Sequence, residues 1–168
     1  MKRYNPKPLG YRLKHAFSTS RAARSWANAH ILRDVGIATA APVAFVEERK
    51  YGLVSHAYYV MEYLEGKTLD VFLNDKEQPS EAITFAVNAT ARLFEIMLTN
   101  CLVHGDTKAT NFILSQGSLY VVDLDALKLY RPSRVFERRF ERDRSRFLSN
   151  WKNRPELKAA FSRALPTP

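Results

Sequence analysis

The sequence contains one cysteine, Cys101, among 168 residues. A single thiol can close no internal disulfide and build no cysteine-based zinc site. No uninterrupted apolar run approaches the roughly 18 residues that span a bilayer, so an integral membrane protein is excluded at this level. The opening residues Met1-Lys2-Arg3-Tyr4-Asn5-Pro6 lack the apolar stretch of a secretory signal. Together these absences lead us to expect a cytoplasmic, reducing location. Repeats and low-complexity blocks are also missing. What is present suffices for a core: 46% hydrophobic and 12% aromatic residues exclude a disordered chain, and the length suits about one domain.

Acidic residues are missing from one region in particular. Residues 1–33 hold eight Lys/Arg and no acid, residues 34–130 carry a net charge of −6, and residues 131–168 a net charge of +7. Two basic ends flank an acidic middle. Basic surfaces draw phosphates, whether on nucleic acid, anionic lipid or a phosphorylated substrate. No stacking or groove-reading motif accompanies the charge, so nucleic acid is not expected as a partner.

Periodicity predicts a helix over Arg21–Val35, capped by Ser20 and stopped by Gly36. Pro42–Glu48 and His56–Tyr63 read as strands around a turn at Arg49–Gly52. A short helix is expected over Thr68–Leu73 and a long apolar one from Glu81 to about Asn100. Phe112–Ser115 and Leu119–Asp123 read as a hairpin, Pro132 to about Trp151 as a charged helix, and Leu165–Pro168 as a frayed tail. The first twenty residues read as a short strand end followed by loop. Strands before helices imply an α+β fold.

The chemistry concentrates in Leu102-Val103-His104-Gly105-Asp106-Thr107-Lys108-Ala109-Thr110-Asn111 and the later Val122-Asp123-Leu124-Asp125. The order is His-x-Asp, four residues, Asn, a strand, a turn, a strand and Asp, the spacing of a kinase catalytic loop and its metal-binding Asp. Phosphoryl transfer requires a carboxylate near the attacking hydroxyl, for which Asp106 is the candidate. It also requires hard oxygen ligands for Mg²⁺, supplied by Asn111 and Asp123. Lys108 can meet the transferred phosphate, and His104 steadies the loop. About 40 residues upstream, Tyr58-Tyr59-Val60-Met61-Glu62-Tyr63-Leu64-Glu65-Gly66 looks like a kinase interlobe hinge. Backbone groups near Glu62 and Leu64 would then hold adenine, with Met61 beside it.

With these residues the chain resembles the bacterial lipopolysaccharide kinases of the Kdo/heptose kinase family. The resemblance also draws on Lys2-Arg3-Tyr4-Asn5, the Ser20–Asn28 stretch, Gly36-Ile37-Ala38-Thr39, Asp-Leu-Asp in place of Asp-Phe-Gly, and Arg142–Trp151. It implies a protein-kinase-like fold, ATP and Mg²⁺ as cofactors, and a sugar hydroxyl of the lipopolysaccharide inner core as acceptor. It makes Lys2 the contact to the α- and β-phosphates, Asp106 the base, and Asn111 and Asp123 the metal ligands. Asp125 would support the metal, pair with a nearby base, or serve as a turn cap. At helical spacing Phe136, Phe140, Phe147 and Trp151 lie roughly on one side and read as packing inward, while the family's lipid-linked substrate implies a peripheral location on the cytoplasmic face of the inner membrane, with the arginines of 131–154 toward anionic headgroups.

Three departures accompany the resemblance. Only Met1 precedes Lys2, so we expect an N-lobe without its Gly-rich loop strands, over residues 1–63, and a compact C-lobe over 64–168. Residues 21–33 supply no acid to pair with Lys2, although Asn28 or His30 could sit nearby. Gly105 stands where regulated protein kinases carry Arg, and no Ala-Pro-Glu follows Asp123, which favours an unregulated small-molecule kinase. The alternatives are a catalytically impaired pseudokinase or fragment, and a kinase acting on protein or another small molecule.

Overall fold

The computed structural model describes residues 1–5 and 19–168. The loop expected over 6–18 lies outside them. The first strand, β1 (Lys2–Tyr4), is followed by helix α1 (Arg21–Asp34). The Ser20 hydroxyl accepts from the Ala23 N–H, as its side chain suits it to do. Strands β2 (Pro42–Lys50) and β3 (Leu53–Met61) come next. Both run closer to their turn than sequence suggests, because Tyr51 and Gly52 adopt φ of 52° and 76° and close a tight two-residue hairpin. At its other end β3 stops at Met61, two residues earlier than expected. The antiparallel sheet has the order β1-β3-β2, with Lys2 opposite Tyr59.

The second half is mostly helical. Short β4 (Lys67–Thr68) leads into α2 (Leu69–Asn74) and α3 (Ser80–Thr99). Over its most apolar window α3 has a mean hydropathy of 1.2, which by length and composition alone is enough to cross a membrane. One side of it, including Ala86, Thr90, Phe94 and Met97, is built into the core. Phe85, on the opposite side, is exposed. Then follow β5 (Leu102–Val103), a 3₁₀ turn at Ala109–Asn111, β6 (Phe112–Ser115), β7 (Ser118–Val121), a second 3₁₀ turn at Leu124–Ala126, and β8 (Lys128–Leu129). Strands β4, β6 and β7 form one sheet, and β5 pairs with β8.

The chain ends in α4 (Arg134–Ser149) and α5 (Pro155–Ala164). As expected, Phe136, Phe140, Phe147 and Trp151 turn inward and are buried. Phe147 sits at the centre of an aromatic cluster, with ring centroids 5.4 Å from Phe94, 5.5 Å from Phe112 and 5.0 Å from Phe161. Edge-to-face packing of this kind adds to the burial of the rings. Helix α5 was not expected from the sequence: Leu157 and Phe161 are its only two buried side chains, a short signal. The frayed tail needs correction at Leu165, which is buried and donates its N–H to Phe161 O at 2.9 Å.

One contiguous core runs from Tyr4 and Leu32 through Phe94 and Phe112 to Phe161 and Leu165. The segment after α1 is stitched to the hairpin: Val121 N–H donates to Ala38 O at 2.9 Å, and the Thr39 hydroxyl to Val121 O at 2.6 Å. A cavity of about 420 Å³, bordered by Ile37, Arg92, Ile96 and Ser118, opens at the turn end of this hairpin. The residues that carry chemistry lie at the opposite, open end.

Candidate active site

The loop after β5 is fixed from both sides. His104 is fully buried, and its Nδ1 accepts the Asp106 N–H at 3.2 Å. Its proton therefore sits on Nε2, which donates to Val122 O at 3.1 Å. Burial pushes the imidazole below its ordinary range, against the pull of Asp143, and keeps it neutral. His104 thus ties the loop to the hairpin, the steadying role expected of it. Gly105 has φ +82°, and a Cβ there would lie 3.1 Å from both the Cβ and the carbonyl oxygen of Ala126. Backbone conformation and close approach together require glycine where a kinase loop of the regulated type has arginine.

From the other side α4 holds the same loop. Asp143, only 3% exposed, accepts the Gly105 N–H on both oxygens, at 3.0 and 3.2 Å. Its backbone carbonyl accepts the Thr107 hydroxyl at 2.6 Å. Burial pushes the Asp143 carboxyl up, only partly opposed by the Gly105 N–H and His104. Just past α4, Asn150 accepts the Ala109 N–H at 3.2 Å and donates to Thr107 O at 3.1 Å.

Asp106 projects from this clamp with its side chain 25% exposed. Arg146 Nη2 lies 2.6 Å from its Oδ1, close enough for an ion pair but off the hydrogen-bond direction. Lys108 Nζ stands 3.5 Å from Oδ2. Lys108 therefore sits beside Asp106 and is itself exposed.

Asn111 and Asp123 occupy the open end of the β6–β7 hairpin, next to the Phe112–Val121 pair. The Asn111 amide nitrogen donates to Asp106 O at 2.8 Å, which leaves its side-chain oxygen for another partner. The backbone joins the two sides again through Val122 N–H to Asn111 O at 2.9 Å. Asp123 adopts a left-handed conformation, φ 63° and ψ 60°, that turns it off the strand. Its carboxylate pairs with the Lys2 ammonium. Burial pushes the Asp123 carboxyl up, but the paired Lys2 ammonium opposes it, and the carboxyl lies below its usual range, ionised at neutral pH.

The donor set fits Mg²⁺. An amide oxygen and a carboxylate are hard ligands for a cation that keeps several waters and shares phosphate oxygens. Among the described residues no group of three His, Cys, Asp or Glu side chains could form an all-protein cage.

Helix α1 supplies no acid to Lys2, and the structure shows what it supplies instead. Arg21 Nε pairs with Asp125 Oδ2 at 2.5 Å, so Asp125 is the partner of a nearby base. Arg21 and Lys2 both lie over the Tyr4 ring, 4.7 and 5.1 Å from its centroid. Asn28 donates to Leu124 O at 2.7 Å and Leu127 O at 3.1 Å, holding the turn after Asp123 rather than approaching Lys2. His30 is exposed and packs edge-on against Trp26.

Of the hinge candidates, Met61 ends the strand that pairs with Lys2, and Glu62 and Leu64 follow just past it. Met61 is half-buried against the core. The Glu62 N–H is taken by Ala41 O at 2.9 Å, while its carbonyl and the backbone groups of Leu64 make no hydrogen bond among the described residues. Past them, a Cβ on Gly66 would stand 2.2 Å from Leu114 O, so the segment lies directly on β6. The Ser115 hydroxyl donates to Glu65 O at 2.7 Å.

The structure thus joins Lys2 to Asp123, Asn111 to Asp106, and Lys108 to Asp106, and sets Met61 at the end of the strand beside β1, with Glu62 and Leu64 in the connection that follows. Sequence reasoning missed Asp143, Arg146 and Asn150 as site residues. Spacings of three and four place them on one edge of α4 and its C-cap, but that spacing does not reveal Gly105, Asp106 or Ala109 as their partners.

The sequence model of the lipopolysaccharide kinase (Kdo/WaaP) family matches residues 10–155. A second likeness is to the probable serine/threonine-protein kinase YbdM of Bacillus subtilis (strain 168), 27% identical over 96 residues, or 55% of this chain. The match spans 36% of that protein's length. The chain belongs to the lipopolysaccharide kinase (Kdo/WaaP) family, and this membership supports a phosphotransferase.

Proposed function

We propose that the chain transfers the γ-phosphoryl group of ATP to a sugar hydroxyl, of Kdo or heptose, in the lipopolysaccharide inner core. The observation that carries this reading is the convergence of Asp106, Asn111 and Asp123 at one end of a hairpin, with Lys2 already drawn to Asp123. In the reaction the acceptor O–H gives its proton to Asp106 while the oxygen bonds to the γ-phosphorus. The bond from that phosphorus to the bridging oxygen breaks, and ADP leaves with the electron pair. Mg²⁺, held by Asn111 and Asp123, would neutralise the phosphate charge. Lys108 meets the group in transit and Lys2 the α- and β-phosphates. Adenine lies by Met61, against the carbonyl of Glu62 and the backbone of Leu64. Residues 1–63 then act as the nucleotide-side lobe and 64–168 as the lobe that carries the loop.

The outer face of α4 supports a peripheral position on the inner membrane. Arg134, Arg138 and Arg142 recur every four residues, are exposed, and make no ion pair among the described residues. Near an anionic surface each adds on the order of 1 kcal/mol of attraction.

The likeness to a probable serine/threonine-protein kinase supports a second reading, a protein hydroxyl as acceptor. Labelled ATP offered with lipopolysaccharide precursor, free Kdo and heptose glycosides, and a generic protein substrate separates the two. Label in the precursor alone supports the sugar reading, label in protein alone the second, and label in neither contradicts both.

A further inference from the structure

Arg146 is not explained by the loop it adjoins. Its side chain is 45% exposed, and its one ionic partner among the described residues is Asp106, the group that faces the acceptor. The guanidinium nitrogen is near Asp106 Oδ1 without pointing a hydrogen at it. A guanidinium has five donors in a planar fork suited to a carboxylate or phosphate, and this contact aligns none of them with Asp106 Oδ1. Two turns back, Arg139 lies within about 20° of Arg146 around the helix. It is exposed and has no ion pair among the described residues. Asp143 and Asn150 on the same edge are bonded to Gly105, Thr107 and Ala109, so the helix edge that carries the two arginines is held against the loop of Asp106 while their side chains stay exposed.

We propose that Arg146, backed by Arg139, determines acceptor specificity by binding a carboxylate or phosphate that the acceptor carries within one sugar ring of the hydroxyl held at Asp106. Acceptor binding then draws Arg146 from Asp106 onto the substrate's own anion, so an acceptor without that anion is bound more weakly. This rests on the phosphoryl-transfer reading for the placement of the acceptor, and names the chemistry of the acceptor there.

The test pairs calorimetric binding with turnover on the full chain. The probes are the methyl glycoside of Kdo against its C1 methyl ester, and a heptose glycoside with and without a phosphate group. The wild type should bind at least one charged probe about 10–100-fold more tightly than its neutral partner, the range of a charge-assisted pair. Arg146→Ala should bring the two within about 3-fold, raising KM for the charged acceptor more than it lowers kcat. Arg146→Lys should restore part of the preference. Which pair is discriminated identifies the anion. A wild type indifferent to both pairs, or an Arg146→Ala variant with undiminished preference, overturns the proposal. So does a variant that keeps its preference but loses binding to phosphatidylglycerol vesicles, which would make Arg146 a membrane contact. Should Arg146→Ala fail to fold, Arg146→Gln carries the same comparison. Anion-dependent binding that Arg146→Ala abolishes, with no phosphate transferred to either probe, upholds the inference and removes the kinase reading.

Discussion

Replacing Asp143 by Ala should loosen the loop that carries Asp106 without altering Asp106 itself. The substitution deletes both acceptors of the Gly105 N–H, a group in a part-buried bond at 3.0 Å. An orphaned donor of this kind costs about 1–3 kcal/mol. Part of that is returned, because burial already disfavours the ionised carboxylate. A net loss of about 2 kcal/mol corresponds to a fall in Tm of roughly 4–8 °C for a chain of this size. The effect on rate should be larger than the effect on stability, since a displacement of about 1 Å at the base can cost on the order of 100-fold. Asp143→Asn retains an oxygen for Gly105 and should keep most of the stability and part of the rate. Differential scanning fluorimetry and phosphate transfer from labelled ATP measure both. The reasoning fails if Asp143→Ala keeps the wild-type Tm and rate. It also fails if Asn and Ala are equally damaging to rate, because charge rather than the Gly105 bond would then be in control.

Other positions give simpler outcomes. Gly105→Ala places a Cβ against Ala126 at positive φ; it should cost about 1–2 kcal/mol of backbone strain and depress kcat, read from steady-state kinetics beside a melting curve. Phe161→Ala removes a fully buried ring 5.0 Å from Phe147 and 5.4 Å from Trp151, and should lose about 3–5 kcal/mol in urea unfolding; a loss under 1 kcal/mol would mean that α5 is peripheral to the core. Tyr59 is buried with its hydroxyl unpartnered among the described residues, and desolvation pushes the phenol up to about 12. In the unfolded chain it ionises near 10, so between about pH 10 and 12 the native state binds more protons and its stability falls as pH rises. Tyr59→Phe should abolish that part of the alkaline loss and gain about 1 kcal/mol at neutral pH, checked by unfolding across pH 8–12.

The site was legible wherever its residues were consecutive or spaced by a fixed motif. His104 to Asn111 and Asp123 could be read because the hairpin between them is a local structure with its own turn signal. Asp143 was present in the motif but silent in role. Its partner Gly105 lies 38 residues away, and no periodicity announces a backbone hydrogen bond across that distance. Arg146 and Asn150 were hidden similarly, among arginines that read as one basic helix. The charge excess concealed a division between an outer row, Arg134, Arg138 and Arg142, and an inner edge facing Asp106. That residues 21–33 offer Lys2 no acid was read correctly, but sequence did not reveal that Arg21 would reach Asp125, because that pairing depends on how α1 lies over the second 3₁₀ turn. Helix α5 escaped notice for want of length: ten residues with two buried side chains leave little pattern. The inward aromatics of α4 were readable because they recur at helical spacing, and the core they form is where sequence and fold agree best.

The most direct test of the phosphoryl-transfer reading is single-turnover transfer from γ-labelled ATP to lipopolysaccharide precursor, in the presence of Mg²⁺, with Asp106→Asn and Asp123→Asn beside the wild type. The wild type should label the sugar. Asp106→Asn should still bind nucleotide but transfer no phosphate, and Asp123→Asn should lose the Mg²⁺-dependent part of nucleotide binding along with transfer. Full transfer by either variant, or Mg²⁺-dependent nucleotide binding undiminished in Asp123→Asn, would contradict it.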